Sequence, residues 1–194
     1  MKYQEILNKG SRVLRNCNIK SSSLDCELIL SKVLNKKREE ILINLNNKIS
    51  KSQEKEFTFY LNKRCNKKPI SYILGFKYFW NYKFYINKST LIPRPESEHL
   101  IEQSLKYIPV GKSMQILDIG TGSGCLVISL LKERSNCIAT ALDISKEALK
   151  VAKTNAKLHH LQNKIKFFNI DVDKFNPNNY DLIISNPPYI NKVD

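Results

Sequence analysis

The apolar positions of this chain change their period near residue 68, and the change divides it in two. Over residues 1–67 they recur at helical spacing. Ile6, Leu7, Val13 and Leu14 share one face of a first helix, with Lys9 and Arg12 outside it. Ser22 followed by Asp25 has the spacing of a capping box and opens a second helix through Leu24, Leu28, Ile29, Val33 and Leu34. A short segment from Arg38 to Leu45 follows, and Ser50 with Gln53 repeats the capping signature ahead of a helix carrying Phe57, Tyr60 and Leu61. Helices joined by short polar loops pack as a small bundle. This one carries no catalytic constellation, which leaves it the role of binding a partner or covering a site.

Residues 68–90 read as a hairpin linker, in which aromatic and β-branched runs from Phe76 to Trp80 and from Lys83 to Ile86 flank a turn at Asn81-Tyr82. The two prolines of Leu91-Ile92-Pro93-Arg94-Pro95-Glu96 then impose a stiff, extended segment, and a helix runs from Ser97 to Tyr107. From Gln115 onward, short apolar strands at 115–119, 137–142, 164–168 and 180–185 alternate with helices at 125–134 and 146–158. Alternation of this kind predicts an α/β domain over 91–194, a Rossmann-like parallel sheet binding its ligand at the C-terminal ends of the strands.

Composition narrows the setting without naming a function. The 194 residues are 42% hydrophobic and 26% charged, which are globular values. The opening Met1-Lys2-Tyr3-Gln4-Glu5 is polar and no run approaches a membrane span, so a cytoplasmic protein with no membrane partner is expected. Cys17, Cys26, Cys65, Cys125 and Cys137 form no Cys-x-x-Cys pair, which predicts reduced thiols with neither a zinc site nor a disulfide framework. The net charge of +14 has two explanations that charge alone does not separate. One is a surface facing nucleic acid or a ribonucleoprotein. The other is a genome whose codons favour Lys, Asn and Ile, in keeping with basic residues scattered along the chain.

Three motifs carry chemistry. Asp118-Ile119-Gly120-Thr121-Gly122-Ser123-Gly124 joins the first predicted strand of the sheet to its first helix. Its glycines permit a tight turn and let a ligand approach bare backbone at a helix N-terminus. Its G-x-G-x-G spacing is neither the dinucleotide fingerprint nor a P-loop. Asp143 ends the second strand, where an acid accepts hydrogen bonds from ribose hydroxyls; it is equally placed to cap the helix ahead of Ser145. Asp171 and Val172 follow the third strand, where an adenine ring would lie. The fourth strand ends in Asn186-Pro187-Pro188-Tyr189. There an Asn side chain and a prolyl carbonyl can accept both hydrogens of a planar –NH₂ group while a Tyr ring covers its face. The two prolines keep that loop rigid, as a site holding reacting atoms near attack geometry requires.

These elements, in this order, resemble class I S-adenosylmethionine-dependent methyltransferases acting on amide or exocyclic nitrogens. More narrowly, the chain is similar to the peptide chain release factor glutamine methyltransferases, the HemK/PrmC family. The likeness includes Leu24-Asp25-Cys26-Glu27-Leu28-Ile29-Leu30, Pro69-Ile70-Ser71-Tyr72-Ile73-Leu74-Gly75 and Leu91-Ile92-Pro93-Arg94-Pro95-Glu96-Ser97-Glu98. The resemblance implies S-adenosyl-L-methionine as cofactor and the glutamine of the Gly-Gly-Gln tip of class 1 release factors as substrate. It implies cofactor contacts from Gly120, Thr121, Gly122, Ser123, Gly124, Asp143, Asp171, Val172 and Asn186. It implies an acceptor site at Asn186, Pro187, Pro188 and Tyr189, with Asn186, Pro187 and Tyr189 acting in catalysis and no metal required. Val172 departs from the pattern, since the family often places an aromatic beside adenine. Neither His99, His159 nor His160 has a part in this scheme, so packing or surface roles are expected for them.

A member of this class is expected to continue its sheet beyond the fourth strand, which would otherwise leave Leu182, Ile183 and Ile184 poorly covered at an open edge. The predicted methyltransferase domain is therefore incomplete, and an inactive remnant is one alternative. A nucleic-acid adenine methyltransferase, using the same tetrapeptide on a flipped base, is the other. It gains from the positive charge but leaves Pro93-Arg94-Pro95-Glu96 without a purpose; the first reading requires no direct nucleic-acid binding.

Overall fold

The structure, a computed structural model, describes residues 1–176 and 179–187 and separates into two compact units, Met1–Gly75 and Phe76–Asp194. Pro188 and Tyr189 of the predicted acceptor motif lie outside the described residues.

The first unit is the expected helical bundle. It comprises α1 (Tyr3–Asn16), α2 (Ser22–Leu34), α3 (Arg38–Ile43), α4 (Lys51–Cys65) and α5 (Ile70–Leu74) around Leu14, Ile29, Leu30, Ile41 and Phe57. At Gly10 a Cβ would sit 2.9 Å from the Phe57 ring, so α1 and α4 meet across a bare backbone. The Ser50–Gln53 capping box forms in both directions. The one expected at Ser22 and Asp25 does not. Helix α2 starts a residue earlier than that box requires, with Ser21 at its N-cap, because Asp25 turns inward. There it accepts hydrogen bonds from Arg64 Nε at 2.6 Å and Ser21 Oγ at 2.9 Å. The thiols also differ from expectation. Cys17, at the end of α1, and Cys65, at the end of α4, form a disulfide with their Cα atoms 5.4 Å apart. Packing of the two helices creates that proximity, and linear spacing carries no trace of it. Cys26, Cys125 and Cys137 are free.

Residues 70–74, placed in the linker by the sequence pattern, form α5 in this first unit, and the hairpin belongs to the second. Its strands are β1 (Phe76–Phe79) and β2 (Tyr82–Tyr85), paired Phe79 to Tyr82. The turn therefore falls at Trp80-Asn81, one residue before its predicted place, with Trp80 at φ +54°. Two acids hold Trp80 in that left-handed conformation: its backbone N–H donates to Glu98 Oε1 at 2.7 Å and its indole N–H to Glu133 Oε1 at 2.8 Å. His159 packs against Tyr82 and Phe84 and hydrogen-bonds the Lys83 carbonyl, whereas His99 lies on the surface beside Glu102.

The extended Pro93-Arg94 segment enters a 3₁₀ turn at Pro95–Ser97 and then α6 (Glu98–Tyr107). The sheet follows as β3 (Gln115–Ile119), α7 (Cys125–Glu133), β4 (Ile138–Asp143), α8 (Lys146–Leu158), β5 (Ile165–Asn169), a 3₁₀ turn at Val172–Lys174 and β6 (Leu182–Ser185). The strands are parallel in the order β5-β4-β3-β6. The chain thus winds outward through β4 and β5 and then returns to the other side of β3. That reversal opens a crevice beyond β3 and β6, the place where doubly wound sheets bind ligands. Among the described residues β6 is an edge strand. Ile183 is 58% exposed, as expected of an open edge, but Ile184 is buried in the core and Leu182 is half-buried. No helix among the described residues is long and apolar enough to cross a membrane.

Candidate functional site

Strand register gathers the predicted residues. Ile119 pairs with Leu142 of β4 on one side and with Ser185 of β6 on the other. The next residue of each strand, Gly120, Asp143 and Asn186, therefore leaves the sheet at the same edge. Thr121 N donates to the Leu142 carbonyl at 2.9 Å, which folds the Gly loop over the end of β4.

The glycines of the loop differ in function. Gly120, Gly122 and Gly124 all have positive φ. A Cβ at Gly120 would meet nothing within 4 Å, so its surroundings are open. At Gly124 a Cβ would press on Ile128 at 3.0 Å and Ala152 at 3.4 Å. Gly124 lets α7 start close to α8; Gly120 leaves room for a ligand over bare backbone.

Asp143 is half-buried and fixed at both oxygens, accepting from Gly122 N at 2.9 Å and from Ser145 N at 2.8 Å. Ser145, not Asp143, caps α8 by accepting from Ala148 N. The carboxylate is thus preorganised by backbone donors while keeping lone pairs for hydroxyl groups. Asn169, opposite Asp143 on β5, donates to the carbonyls of Asp143 and Ile144 and steadies the turn behind it. Asp171 is exposed and accepts from Asp173 N, and Val172 is 44% exposed. Ile144, which the sequence reading did not single out, is 75% exposed directly after Asp143.

Asp118 opens the Gly-loop motif in the sequence but was given no role of its own. It is 1% exposed at the end of β3, and its Oδ2 accepts from Thr121 Oγ1 at 2.7 Å. Its Oδ1 and Ser129 Oγ are the buried side-chain polar atoms without a partner among the described residues. Burial lifts its carboxyl from the ordinary 3.8 to about 7; the Thr121 hydroxyl and, more weakly, the Val127 backbone N–H oppose the rise, and the nearby Asp143 charge adds to it. A carboxylate immediately before a Gly loop, at the end of an otherwise apolar strand, was the available signal.

Asn155 on α8 is fully buried and ties the site to the hairpin. Its Oδ1 accepts from Tyr85 N, and its Nδ2 donates to the carbonyls of Tyr85 and Ser123, at 2.7, 2.9 and 2.8 Å. Ser123 is buried at the base of the Gly loop. On the other side of β3, Asn186 Nδ2 donates to Ser97 Oγ at 2.7 Å, so the 3₁₀ turn after the Pro-Arg-Pro segment touches the acceptor motif. Pro187 is exposed. Among the described residues, no group of three or more His, Cys, Asp or Glu side chains is placed to hold a metal.

Residues 5–75 match the PrmC N-terminal domain and residues 97–194 the methyltransferase small domain, so the first match ends where the helical unit ends. A release factor glutamine methyltransferase of Buchnera aphidicola is 37% identical over 190 residues, covering 98% of this chain and 68% of that protein. A bifunctional methyltransferase of Rickettsia typhi is 37% identical over 206 residues, 96% of this chain but 40% of its own length. A solved structure of a putative S-adenosyl-L-methionine-dependent methyltransferase from Methanococcus maripaludis is 28% identical, with a TM-score of 0.42 over 48% of this chain and 44% of that one. The chain thus spans from two fifths to about two thirds of the curated relatives described. By these two matched domains and by the identity to the Buchnera protein, the chain belongs to the release factor glutamine methyltransferase family.

Proposed function

We propose that this chain belongs to an S-adenosyl-L-methionine-dependent enzyme that methylates the side-chain nitrogen of the glutamine in the Gly-Gly-Gln tip of class 1 release factors, working in the cytoplasm where translation ends. The observation that carries the reading is the reversal of strand order at β3, which brings the Gly loop, Asp143 and Asn186 to one sheet edge. The name of the Buchnera relative supports the same choice of substrate.

The residues present suit the cofactor. Open space above Gly120 accommodates a ligand against backbone. Asp143, already oriented by two backbone donors, accepts from ribose hydroxyls. Exposed Ile144 and Val172 offer apolar walls for an adenine ring, with Asp171 as an acceptor for its amine. The cofactor supplies an electrophilic methyl group on a sulfonium. Everything else is positioning. An amide nitrogen is a poor nucleophile because its lone pair is delocalised. Asn186 Oδ1 and the Pro187 carbonyl would each accept one of its hydrogens and so orient the nitrogen for methyl transfer; Tyr189, which the sequence reading assigns to the flat face of the amide, lies outside the described residues. After the bond forms, the nitrogen sheds a proton to water. Thr121, Ser123 and Gly124 shape the loop.

The test is methyl transfer from labelled cofactor to a purified class 1 release factor, with the modified residue located by mass spectrometry. Label on the Gly-Gly-Gln glutamine is expected; label on a nucleic acid and none on the release factor would overturn the reading. Asp143→Ala removes the ribose contacts and is expected to weaken S-adenosylhomocysteine binding by about 1.5–3 kcal/mol in calorimetry.

A further inference from the structure

A carboxamide is nearly symmetric in shape but not in chemistry: one end only donates hydrogen bonds and the other only accepts. For Asn186 to hold an –NH₂ group, its oxygen has to face the substrate. With its amide turned over, it would present a second donor to a donor and repel the group it must orient. Asn186 therefore acts only with its NH₂ end turned away from the substrate.

In the structure the NH₂ end is the one turned to Ser97, whose hydroxyl can accept from it. Asn186 Nδ2 lies 2.7 Å from Ser97 Oγ, 89 positions away in sequence, and Ser97 is 8% exposed. The hydroxyl sits at the end of the 3₁₀ turn Pro95–Ser97, whose closing bond runs from Ser97 N to the Arg94 carbonyl at 3.0 Å. Pro95 opens the turn with its φ already set, and the following helix α6 has Ile101 wholly buried. The acceptor for the Asn186 amide is thus anchored on both sides. We propose that Ser97 is a positioning residue that fixes the orientation of the Asn186 carboxamide, taking its NH₂ end and leaving its oxygen for the substrate nitrogen. This gives the Pro93-Arg94-Pro95-Glu96 segment a purpose: it delivers one hydroxyl to the end of β6. The inference rests on the reading above in placing Asn186 at the accepting nitrogen.

Two measurements on the full chain decide it. The first uses no substrate. The side-chain amide resonances of Asn186, assigned by their loss in Asn186→Ala, are expected to exchange slowly with water in the native protein. Exchange should be at least tenfold faster in Ser97→Ala and protected again in Ser97→Thr, which restores the hydroxyl. The second is steady-state methyl transfer to release factor. Ser97→Ala is expected to lower kcat about tenfold, a part of the roughly hundredfold loss in Asn186→Ala. KM for the cofactor should stay unchanged, and Ser97→Thr should recover most of kcat. Equal amide exchange in the native protein and Ser97→Ala overturns the proposal, as does an unchanged kcat. A native protein that methylates no release factor refutes the proposed activity of this chain instead, and the exchange measurement still decides the role of Ser97.

Discussion

Each of the two units buries an aspartate, and the two are treated in opposite ways. In the helical unit Asp25, 2% exposed, receives an Arg64 guanidinium and a Ser21 hydroxyl. In the sheet unit Asp118, 1% exposed, receives a Thr121 hydroxyl and no cation, and keeps an oxygen with no side-chain partner among the described residues, only the Val127 backbone N–H nearby. A buried carboxylate with a cation and a hydroxyl is a finished joint, costly to break and with nothing left to offer. One with a single hydroxyl, beneath a loop that opens onto empty space, is held in a state that a proton or a ligand can change. The first unit uses its buried charge for architecture; the second keeps its own beneath the Gly loop.

The largest effect is expected from breaking the finished joint. Arg64→Met strands the Asp25 charge and should destabilise the helical unit by about 3–5 kcal/mol. The only tryptophan of the chain, Trp80, lies in the other unit. Urea unfolding followed by far-ultraviolet circular dichroism, which reads the helices of both units, should therefore show part of its amplitude lost at lower urea while the Trp80 fluorescence transition stays in place. Movement of both would mean that the units do not keep separate stabilities. Next comes the cross-link between the ends of α1 and α4. With the protein oxidised, Cys17→Ser should cost the same unit about 2–4 kcal/mol, since the bridge closes a 48-residue separation. Reductant should bring the native protein to the same midpoint; a midpoint insensitive to reductant would show that Cys17 and Cys65 are thiols in solution.

The smallest effect, and the most informative about the contrast, concerns Asp118. Its carboxyl is raised by burial from 3.8 to about 7, so the folded protein holds this proton more tightly than the unfolded chain. The stability it contributes is complete below pH about 4 and is lost as pH rises through about 7. Between pH 5 and 8 the Trp80 transition should weaken by roughly 2 kcal/mol. Asp118→Asn should flatten that dependence while leaving the helical transition unchanged. A native protein whose Trp80 midpoint is constant over this range would place Asp118 with Asp25 among the satisfied groups.

What could be read from the chain was what is local. The Ser50–Gln53 box forms because both partners lie within one turn of helix. The strand and helix sequence of the sheet follows from runs of apolar residues, and Gly120, Asp143 and Asn186 meet because strand ends share an edge. The Ser22–Asp25 box failed because Asp25 has a stronger partner 39 positions away. The Cys17–Cys65 bridge and the Asn186–Ser97 bond depend equally on packing across long separations. The turn at Trp80 was misplaced because two glutamates, on α6 and α7, hold a bulky residue in a conformation its own chemistry does not favour. Asn155 gave no signal at all, being a single polar residue in a helix until its partners are in place.

Asn155 bears on how such a protein can be re-engineered. From a helix it reproduces the paired donor and acceptor of a neighbouring strand toward Tyr85, and with its remaining donor it holds the Ser123 carbonyl. Hairpin and Gly loop are therefore registered to one side chain, and neither is an independent module. A hairpin grafted from a relative would carry its register into the loop: shift Tyr85 by one residue and the mismatch arrives at Ser123. Exchange of hairpins is feasible only between chains that keep an asparagine here and align Tyr85 against it. Insertions are better placed at the Trp80-Asn81 turn, at the far end of the hairpin, where an added residue leaves that alignment alone.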